Sequence, residues 1–110
     1  MSTSKEYTKK KKKKRYNVLV PDFVYNKLST YYLSRELDSF CLLYKDDERL
    51  WATPFSIYSY ETHHPKMKLG FYLSTDISNV IEEMSIANLR NTSNQALHLI
   101  YSYYNYICQQ

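Results

Sequence analysis

Two stretches of this sequence, which align when one is shifted by 53 positions, follow the same order of strand, polar step and helix. The first is "RYNVLVPDFVYNKL", from Arg15, and the second is "KMKLGFYLSTDISNVI", from Lys66. In each, apolar side chains first recur at every second residue, which predicts a β-strand with one buried face. They then recur at about every 3.6 residues, which predicts an amphipathic helix. This internal repeat favours folds that contain two strand-helix units.

The second unit has the clearer pattern. Its strand is expected to alternate the apolar residues Met67, Leu69, Phe71 and Leu73 with Lys68, Gly70 and Tyr72. Ser74 or Thr75 is expected to cap a helix that buries Ile77, Val80, Ile81, Met84 and Leu89. After a polar turn, Thr92 or Ser93 is expected to cap a second helix that buries Ala96, Leu97, Ile100, Tyr101, Tyr104 and Ile107.

The first unit matches the second when it is shifted by 53 positions. The shift places the apolar strand residues Tyr16, Val18 and Val20 on Leu69, Phe71 and Leu73. Beyond the strands, it pairs Val24 with Ile77, Asn26 with Asn79, Leu28 with Ile81, Tyr31 with Met84, Asp38 with Asn91, Leu43 with Ala96 and Tyr44 with Leu97. The pattern therefore predicts a strand-helix-helix order in both halves.

These patterns predict a mainly α fold with a short antiparallel β-ribbon, built as two tandem strand-helix-helix units in one chain. A chain of 110 residues suits one domain or two very small halves that share a core. We predict a disordered basic tail over residues 1–14 and a first half over residues 15–50. A connector over residues 51–65 then leads to the second half, residues 66–110.

Positive charge is concentrated at the N-terminus. Residues 1–15 contain eight of the fifteen Lys and Arg residues and one acid, whereas residues 16–110 contain seven basic and ten acidic residues. The first segment therefore carries +7 and the remainder −3. A run of like charge repels itself, stays solvated and commonly serves as an arm for nucleic acid. A solubilising tail, a patch for acidic lipid and a nuclear import signal are the alternatives.

No residue pattern predicts catalysis or a cofactor. Cys41 and Cys108 stand in apolar contexts and are expected to be buried free thiols. Glu61, His63 and His64 invite a metal site, but adjacent residues of an extended chain point to opposite faces, so we predict none. The tyrosines from Tyr101 to Tyr106 lack nearby basic partners, and one glycine cannot form a phosphate-binding loop. We therefore predict that the protein is not an enzyme.

The two quoted stretches, together with "EEMSIANLRNTSNQALHLI", resemble the ribbon-helix-helix family of DNA-binding repressors. The resemblance implies that two antiparallel strands enter the DNA major groove, where three outward side chains of each strand read base edges. It also implies that the N-terminus of each second helix grips a phosphate. This chain has no glycine in the turn between its last two helices, where "LRNTSN" stands. It also has two candidate strands where one is usual.

The resemblance implies DNA-binding roles for two groups of residues. Arg15, Asn17, Lys68 and Tyr72 are expected to face base edges, and Thr92 and Ser93 to lie near the DNA backbone. Gly70 either lets the bases approach closely or marks a bulge or twist of the sheet. The tail, including Lys12, Lys13 and Lys14, is expected to add affinity that is independent of sequence.

We therefore expect sequence-specific binding of double-stranded DNA by a small transcriptional repressor, acting as a homodimer or higher oligomer on DNA. The ribbon forms within one chain if both strands pair, and between two chains otherwise. The alternatives are a relaxosome or partition accessory factor and a protein-interaction module, such as an antitoxin or a phage- or plasmid-encoded inhibitor. The abundance of Lys, Asn, Tyr and Ile favours an AT-rich mobile element as the source. No apolar run approaches the roughly 20 residues that span a bilayer, so we expect a cytoplasmic protein with no membrane partner.

Overall fold

The chain folds, in a computed structural model, into four helices and one two-stranded antiparallel sheet over the residues that the structure describes, 13–47, 50 and 64–109. The elements are β1 (Lys13–Pro21), α1 (Asp22–Leu28), α2 (Leu33–Tyr44), β2 (Lys66–Ser74), α3 (Thr75–Ala87) and α4 (Thr92–Cys108). The predicted mainly α class with a short antiparallel ribbon is confirmed. No helix within the described ranges is both long and apolar enough to cross a membrane.

β1 and β2 pair within one chain, which completes the ribbon without a second copy. The pairing runs from Lys13 opposite Ser74 to Pro21 opposite Lys66, with Asn17 opposite Gly70 at its centre. The shift of 53 positions also matches Asn17 with Gly70. A local twofold axis through this central pair therefore relates the two strands. β1 begins at Lys13, two residues before the predicted start, so the last two residues assigned to the tail belong to the strand.

The inward face of the ribbon forms one side of the core. Tyr16, Val18 and Val20 alternate with exposed residues on β1, and the rings of Tyr16 and Phe71 stack across the ribbon with centroids 5.7 Å apart. The core residues contributed by β2 and the helices include Leu69, Phe71, Leu73, Val24, Leu28, Ile77, Ile81, Ala96, Leu99 and Ile100. Of the residues predicted to be buried, five are half-buried and pack against the core: Val80, Met84, Leu97, Tyr104 and Ile107. Met67, expected on the buried face of β2, is 38% exposed because it lies near the open end of the ribbon, opposite Val20.

The repeat holds through the strands and the start of the first helices. α1 and α3 begin at residues 22 and 75, which are 53 apart, and the matched pairs Val24/Ile77 and Leu28/Ile81 are all buried. α1 ends at Leu28, however, whereas α3 continues to Ala87. The second helices therefore begin at residues 33 and 92, which are 59 apart.

Because of these six additional residues in α3, the later matches from the 53-residue shift are wrong. Tyr31 lies in the turn before α2 and is 95% exposed, whereas Met84 lies within α3. Asp38 lies in the middle of α2, whereas Asn91 precedes α4. The matches of Leu43 with Ala96 and Tyr44 with Leu97 likewise pair the last turn of α2 with the beginning of α4.

The caps and thiols agree with the predictions in part. Ser74 caps α3, since its Oγ accepts a hydrogen bond from the Ile77 N–H at 3.5 Å. α4 is capped by Asn91, whose Oδ1 accepts from the Asn94 N–H at 2.7 Å, and not by Thr92 or Ser93. Cys41 is buried as predicted, and burial raises the pKa of its thiol to about 12. Cys108 is exposed because it lies in the last turn of α4, so the prediction for this thiol is wrong.

The turn between α3 and α4 contains a leucine in a backbone conformation that favours glycine. Leu89 has a φ of 57° and is 95% exposed, which contradicts its predicted place in the core. The Leu89 N–H donates to the Ile86 carbonyl, and the Arg90 N–H donates to the Ser85 carbonyl. These two bonds form a Schellman motif, in which glycine is the usual residue at the position of Leu89.

We expect Leu89→Gly to raise the free energy of unfolding by about 1 kcal/mol. The left-handed conformation costs a residue with a Cβ roughly 1–2 kcal/mol, and the exposed leucine side chain contributes little packing in return. Urea denaturation measures the change. Leu89→Ala is the matched control, because alanine keeps the Cβ and so the strain. Equal stability of the two variants would show that the backbone of this turn is not strained.

Candidate nucleic-acid interface

The outer face of the ribbon points away from the helices. We define it by the residues that alternate with the core positions: Arg15, Asn17 and Leu19 on β1, and Lys68, Gly70 and Tyr72 on β2. Five of them are exposed, and Gly70 is half-buried. The structure therefore brings the four predicted base-reading side chains together on one face.

Cross-strand pairing sets the layout of this outer face. Arg15 lies opposite Tyr72 at one end, Asn17 lies opposite Gly70 at the centre, and Leu19 lies opposite Lys68 at the other end. Each end thus carries one basic side chain and one apolar or aromatic side chain. Positive charge is spread along the diagonal of the ribbon, and an amide lies between the two cations.

Arg15 lies across the centre of the outer face. Its Nη1 donates to the Tyr72 hydroxyl at 3.3 Å, and its Nη2 donates to the Asn17 Oδ1 at 3.4 Å. The guanidinium carbon also lies 5.2 Å from the centroid of the Tyr72 ring, within the range of a cation–π contact. The guanidinium of Arg15, the phenol of Tyr72 and the amide of Asn17 therefore form one connected group of polar side chains on the outer face.

Gly70 makes room for that group. A Cβ built on Gly70 would meet the Arg15 guanidinium and lie 3.0 Å from the Asn17 Oδ1. The strand pairing continues without a bulge through Gly70, and its φ is not positive. The bulge considered from the sequence is therefore absent at this position, and the space of the missing side chain holds the guanidinium.

α2 covers the outer edge of β2. The Ser34 Oγ accepts a hydrogen bond from the Tyr72 N–H at 2.9 Å, and the Asp38 Oδ1 accepts from the Ser74 N–H at 3.2 Å. Ser34 and Asp38 are four residues apart and so lie on one side of the helix. This contact closes an edge that would otherwise expose unpaired backbone groups. It also places the first turn of α2 directly beside the outer face.

Sequence reasoning missed Ser34 but selected its counterpart, Ser93. Each serine is the second residue of the second helix in its unit, 59 positions apart. Ser93 is exposed in the first turn of α4, and Thr92 is half-buried. An alignment of the two second helices on their own apolar periodicity would have matched Ser34 with Ser93.

The lysines that precede the strand have different surroundings. Lys12 lies outside the described residues. Lys13 is exposed and shares the strand face of Arg15. Lys14 has the opposite parity and lies on the other side of the ribbon, where its Nζ is 3.5 Å from the Glu82 carboxylate and 5.6 Å from the Tyr16 ring centroid. The structure therefore separates Lys14 from the outer face.

The histidine segment has a packing role where it is described. Glu61 and His63 lie outside the described residues. The His64 Nδ1 lies 3.2 Å from the Asp22 Oδ1, and its ring meets the edge of Phe23 with centroids 4.8 Å apart. Among the described residues, no group of three His, Cys, Asp or Glu side chains could hold a metal ion. His64 instead helps to hold the start of β2 against α1.

Two of the C-terminal tyrosines, Tyr103 and Tyr106, pack against α2. Tyr103, expected at the margin of α4 or in a subunit contact, is buried with its ring 5.3 Å from Phe40, and its hydroxyl donates to the Glu36 carboxylate at 3.2 Å. Burial, followed by the Glu36 charge, raises the pKa of Tyr103 to about 12. A phenol in these surroundings stays protonated at neutral pH and is a poor nucleophile.

No family model, curated protein or solved structure matches this chain. Its function is therefore inferred from the chemistry of the outer face and of the helices beside it.

Proposed function

We propose that this protein binds double-stranded DNA sequence-specifically by inserting its ribbon into the major groove, in the manner of the ribbon-helix-helix repressors. The observation that carries this proposal is the outer face, where Arg15, Asn17 and Lys68 project from a two-stranded ribbon backed by four helices. A major groove about 12 Å wide admits such a ribbon.

The side chains of the outer face match the chemistry of base edges. Arginine and lysine donate to guanine O6 and N7, and asparagine pairs with adenine N6 and N7. The exposed Leu19 offers an apolar contact for a thymine methyl group. The inward face cannot serve this purpose, because its residues are buried against the helices.

The flanking helices and the tail supply contacts to the DNA backbone in this proposal. A helix N-terminus attracts phosphate through its dipole and its backbone N–H groups. The first turn of α2 lies against the edge of β2 through Ser34, and α4 presents Ser93 in its own first turn. The basic N-terminal segment adds affinity that does not depend on sequence.

A small protein of this kind acts as a transcriptional repressor by occupying its site on DNA. The ribbon forms within one chain, so one copy presents the complete reading surface. The predicted homodimer or higher oligomer would then consist of whole ribbons side by side on neighbouring sites. Binding to a protein partner by a body that does not read DNA is the competing outcome of the test.

The test compares the loss of a base contact with the loss of a backbone contact. Lys68→Ala should reduce discrimination at one base pair by about 1–3 kcal/mol, because Lys68 faces the groove. Ser93→Ala should weaken binding to specific and random duplexes alike, since a phosphate contact carries no direct sequence information. Fluorescence anisotropy with single-base variants of a selected site measures both effects.

Lys27→Ala is the matched control for charge. Lys27 is an exposed lysine of α1 that is not part of the outer face, so its loss removes the same charge and should leave base preference unchanged. If Lys68, Tyr72, Arg15 and Asn17 can each be replaced without a change in base preference, the ribbon does not read DNA. The protein would then belong with the interaction modules.

A further inference from the structure

The two strands of the ribbon present different side chains at equivalent positions. The local twofold axis relates Arg15 to Lys68, Asn17 to Gly70, and Leu19 to Tyr72. In a ribbon made by two identical chains, each of these pairs would be one residue type, and the two halves of the bound DNA would meet the same groups. Such a ribbon reads a palindromic site because protein and DNA share the axis. This chain lacks that identity at all three positions.

The largest difference lies at the centre of the ribbon. Asn17 offers an amide that can both donate to and accept from one adenine, whereas Gly70 offers no side chain at all. The Arg15 guanidinium lies over Gly70 and donates to the Asn17 Oδ1, which adds to the imbalance. One half of a bound site thus meets a central hydrogen-bonding side chain, and the other half meets backbone.

The ends of the ribbon differ as well. Leu19 is 58% exposed and apolar, while its equivalent Tyr72 holds Arg15 through its hydroxyl and its ring. The N-termini of the two second helices also differ. Asn91 caps α4 with its side chain, whereas α2 begins after Tyr32 with no side-chain cap. The asymmetry therefore extends from the outer face to the N-termini of the second helices.

We propose that one copy of this chain recognises a non-palindromic duplex DNA site. This inference rests on the proposed function and specifies its substrate class. The half of the site under β1 supplies a guanine to Arg15, an adenine to Asn17 and a thymine methyl to Leu19. The half under β2 supplies a guanine to Lys68 and tolerates any base pair opposite Gly70.

The experiment makes the ribbon symmetric. The triple variant Lys68→Arg, Gly70→Asn and Tyr72→Leu gives both strands the outward series Arg, Asn, Leu. The matched variant Arg15→Lys, Asn17→Gly and Leu19→Tyr gives both strands the series Lys, Gly, Tyr. All six positions lie outside the buried core, and the Cβ introduced at Gly70 meets mainly the movable end of Arg15. Thermal melting confirms that each variant is folded before it is used.

Each protein selects duplexes from a random pool, and the stoichiometry on the selected site is measured. The wild-type protein should enrich a core without internal twofold symmetry and bind it one to one. The first variant should enrich a palindrome built from the β1 half, and the second a palindrome built from the β2 half. Gly70→Asn alone should create a new preference of about fivefold or more at one base pair, as one good base contact gives.

Three results would overturn the inference in distinguishable ways. A palindromic core bound by one wild-type chain would reject the asymmetric site but leave DNA binding standing. A core bound by two wild-type chains with no one-to-one complex would reject the single-copy unit. Enrichment of no sequence at all by the wild-type protein would reject the proposed function together with the inference.

Discussion

Phe71→Ala is expected to lower the free energy of unfolding by about 3–5 kcal/mol, as large truncations of core aromatics do. Phe71 is 1% exposed, lies at the middle of β2, and stacks on Tyr16 across the ribbon. The ribbon depends on this face, since a two-stranded sheet needs packing against helices to be stable in water. Such a loss is a large share of the 5–15 kcal/mol that stabilises a typical domain.

Urea denaturation with Tyr72→Ala as the control isolates the effect of burial. Tyr72 is the next residue of the same strand and points to the outer face, where it is 43% exposed. Its truncation removes the contact with Arg15 and should cost under about 1 kcal/mol. If Phe71→Ala costs no more than Tyr72→Ala, the two faces of the strand are assigned the wrong way round.

Deletion of residues 1–12 is expected to weaken binding to every duplex and to reduce its salt dependence. This segment contains five lysines, and each phosphate that a lysine neutralises adds about −0.9 to the slope of log K against log salt. The slope should become shallower by up to about 4.5 if all five contact phosphates. The deletion stops before Lys13 because that residue belongs to β1.

Titrations across a range of salt concentrations measure this slope for full-length and shortened protein. Replacing the same five lysines by glutamine is the matched control, since it keeps the length of the segment and removes the charge. Both changes should have the same effect, and preference among duplexes should be unchanged. An unchanged slope in either variant would remove this segment from the interface with DNA.

The strands could be predicted from the sequence because their pattern is local. A period of two in residues 16–20 and 67–73 predicts which side chains are buried, and the structure buries those of Val18, Val20 and Phe71 but leaves Met67 exposed near the start of β2. The repeat also indicates the register in which the two strands pair, since Asn17 and Gly70, which are 53 positions apart, lie opposite each other at the centre of the ribbon. The residues of the outer face follow from the strand pattern alone.

The second helices could not be aligned from the strands. The shift of 53 positions fails after Leu28, because α1 stops there and α3 runs on. α2 nevertheless carries its own signal, a buried stripe of Leu33, Leu37, Phe40 and Cys41. Buried polar residues were beyond any periodic pattern. Gln95 is buried, and its Oε1 accepts a hydrogen bond from Arg90 in the turn between α3 and α4, a contact set by tertiary structure.

The candidate interface was predictable in its centre and less so at its margins. Arg15, Asn17, Lys68 and Tyr72 share the outer face as strand alternation requires. Lys14 was grouped with the tail by charge, but strand parity and Glu82 place it on the opposite side. Ser34 was missed because its role depends on where α2 meets β2, and neither local pattern contains that information.

The intrachain ribbon has a consequence for behaviour on dilution. β1 ends at Pro21 and β2 begins at Lys66, so α1, α2 and the chain that follows them tether the two strands to each other. The tether sets the effective concentration of one strand around the other, whatever the amount of protein in solution. A ribbon shared between two molecules comes apart as they become scarce. This one stays assembled at any abundance, down to a single molecule in a cell.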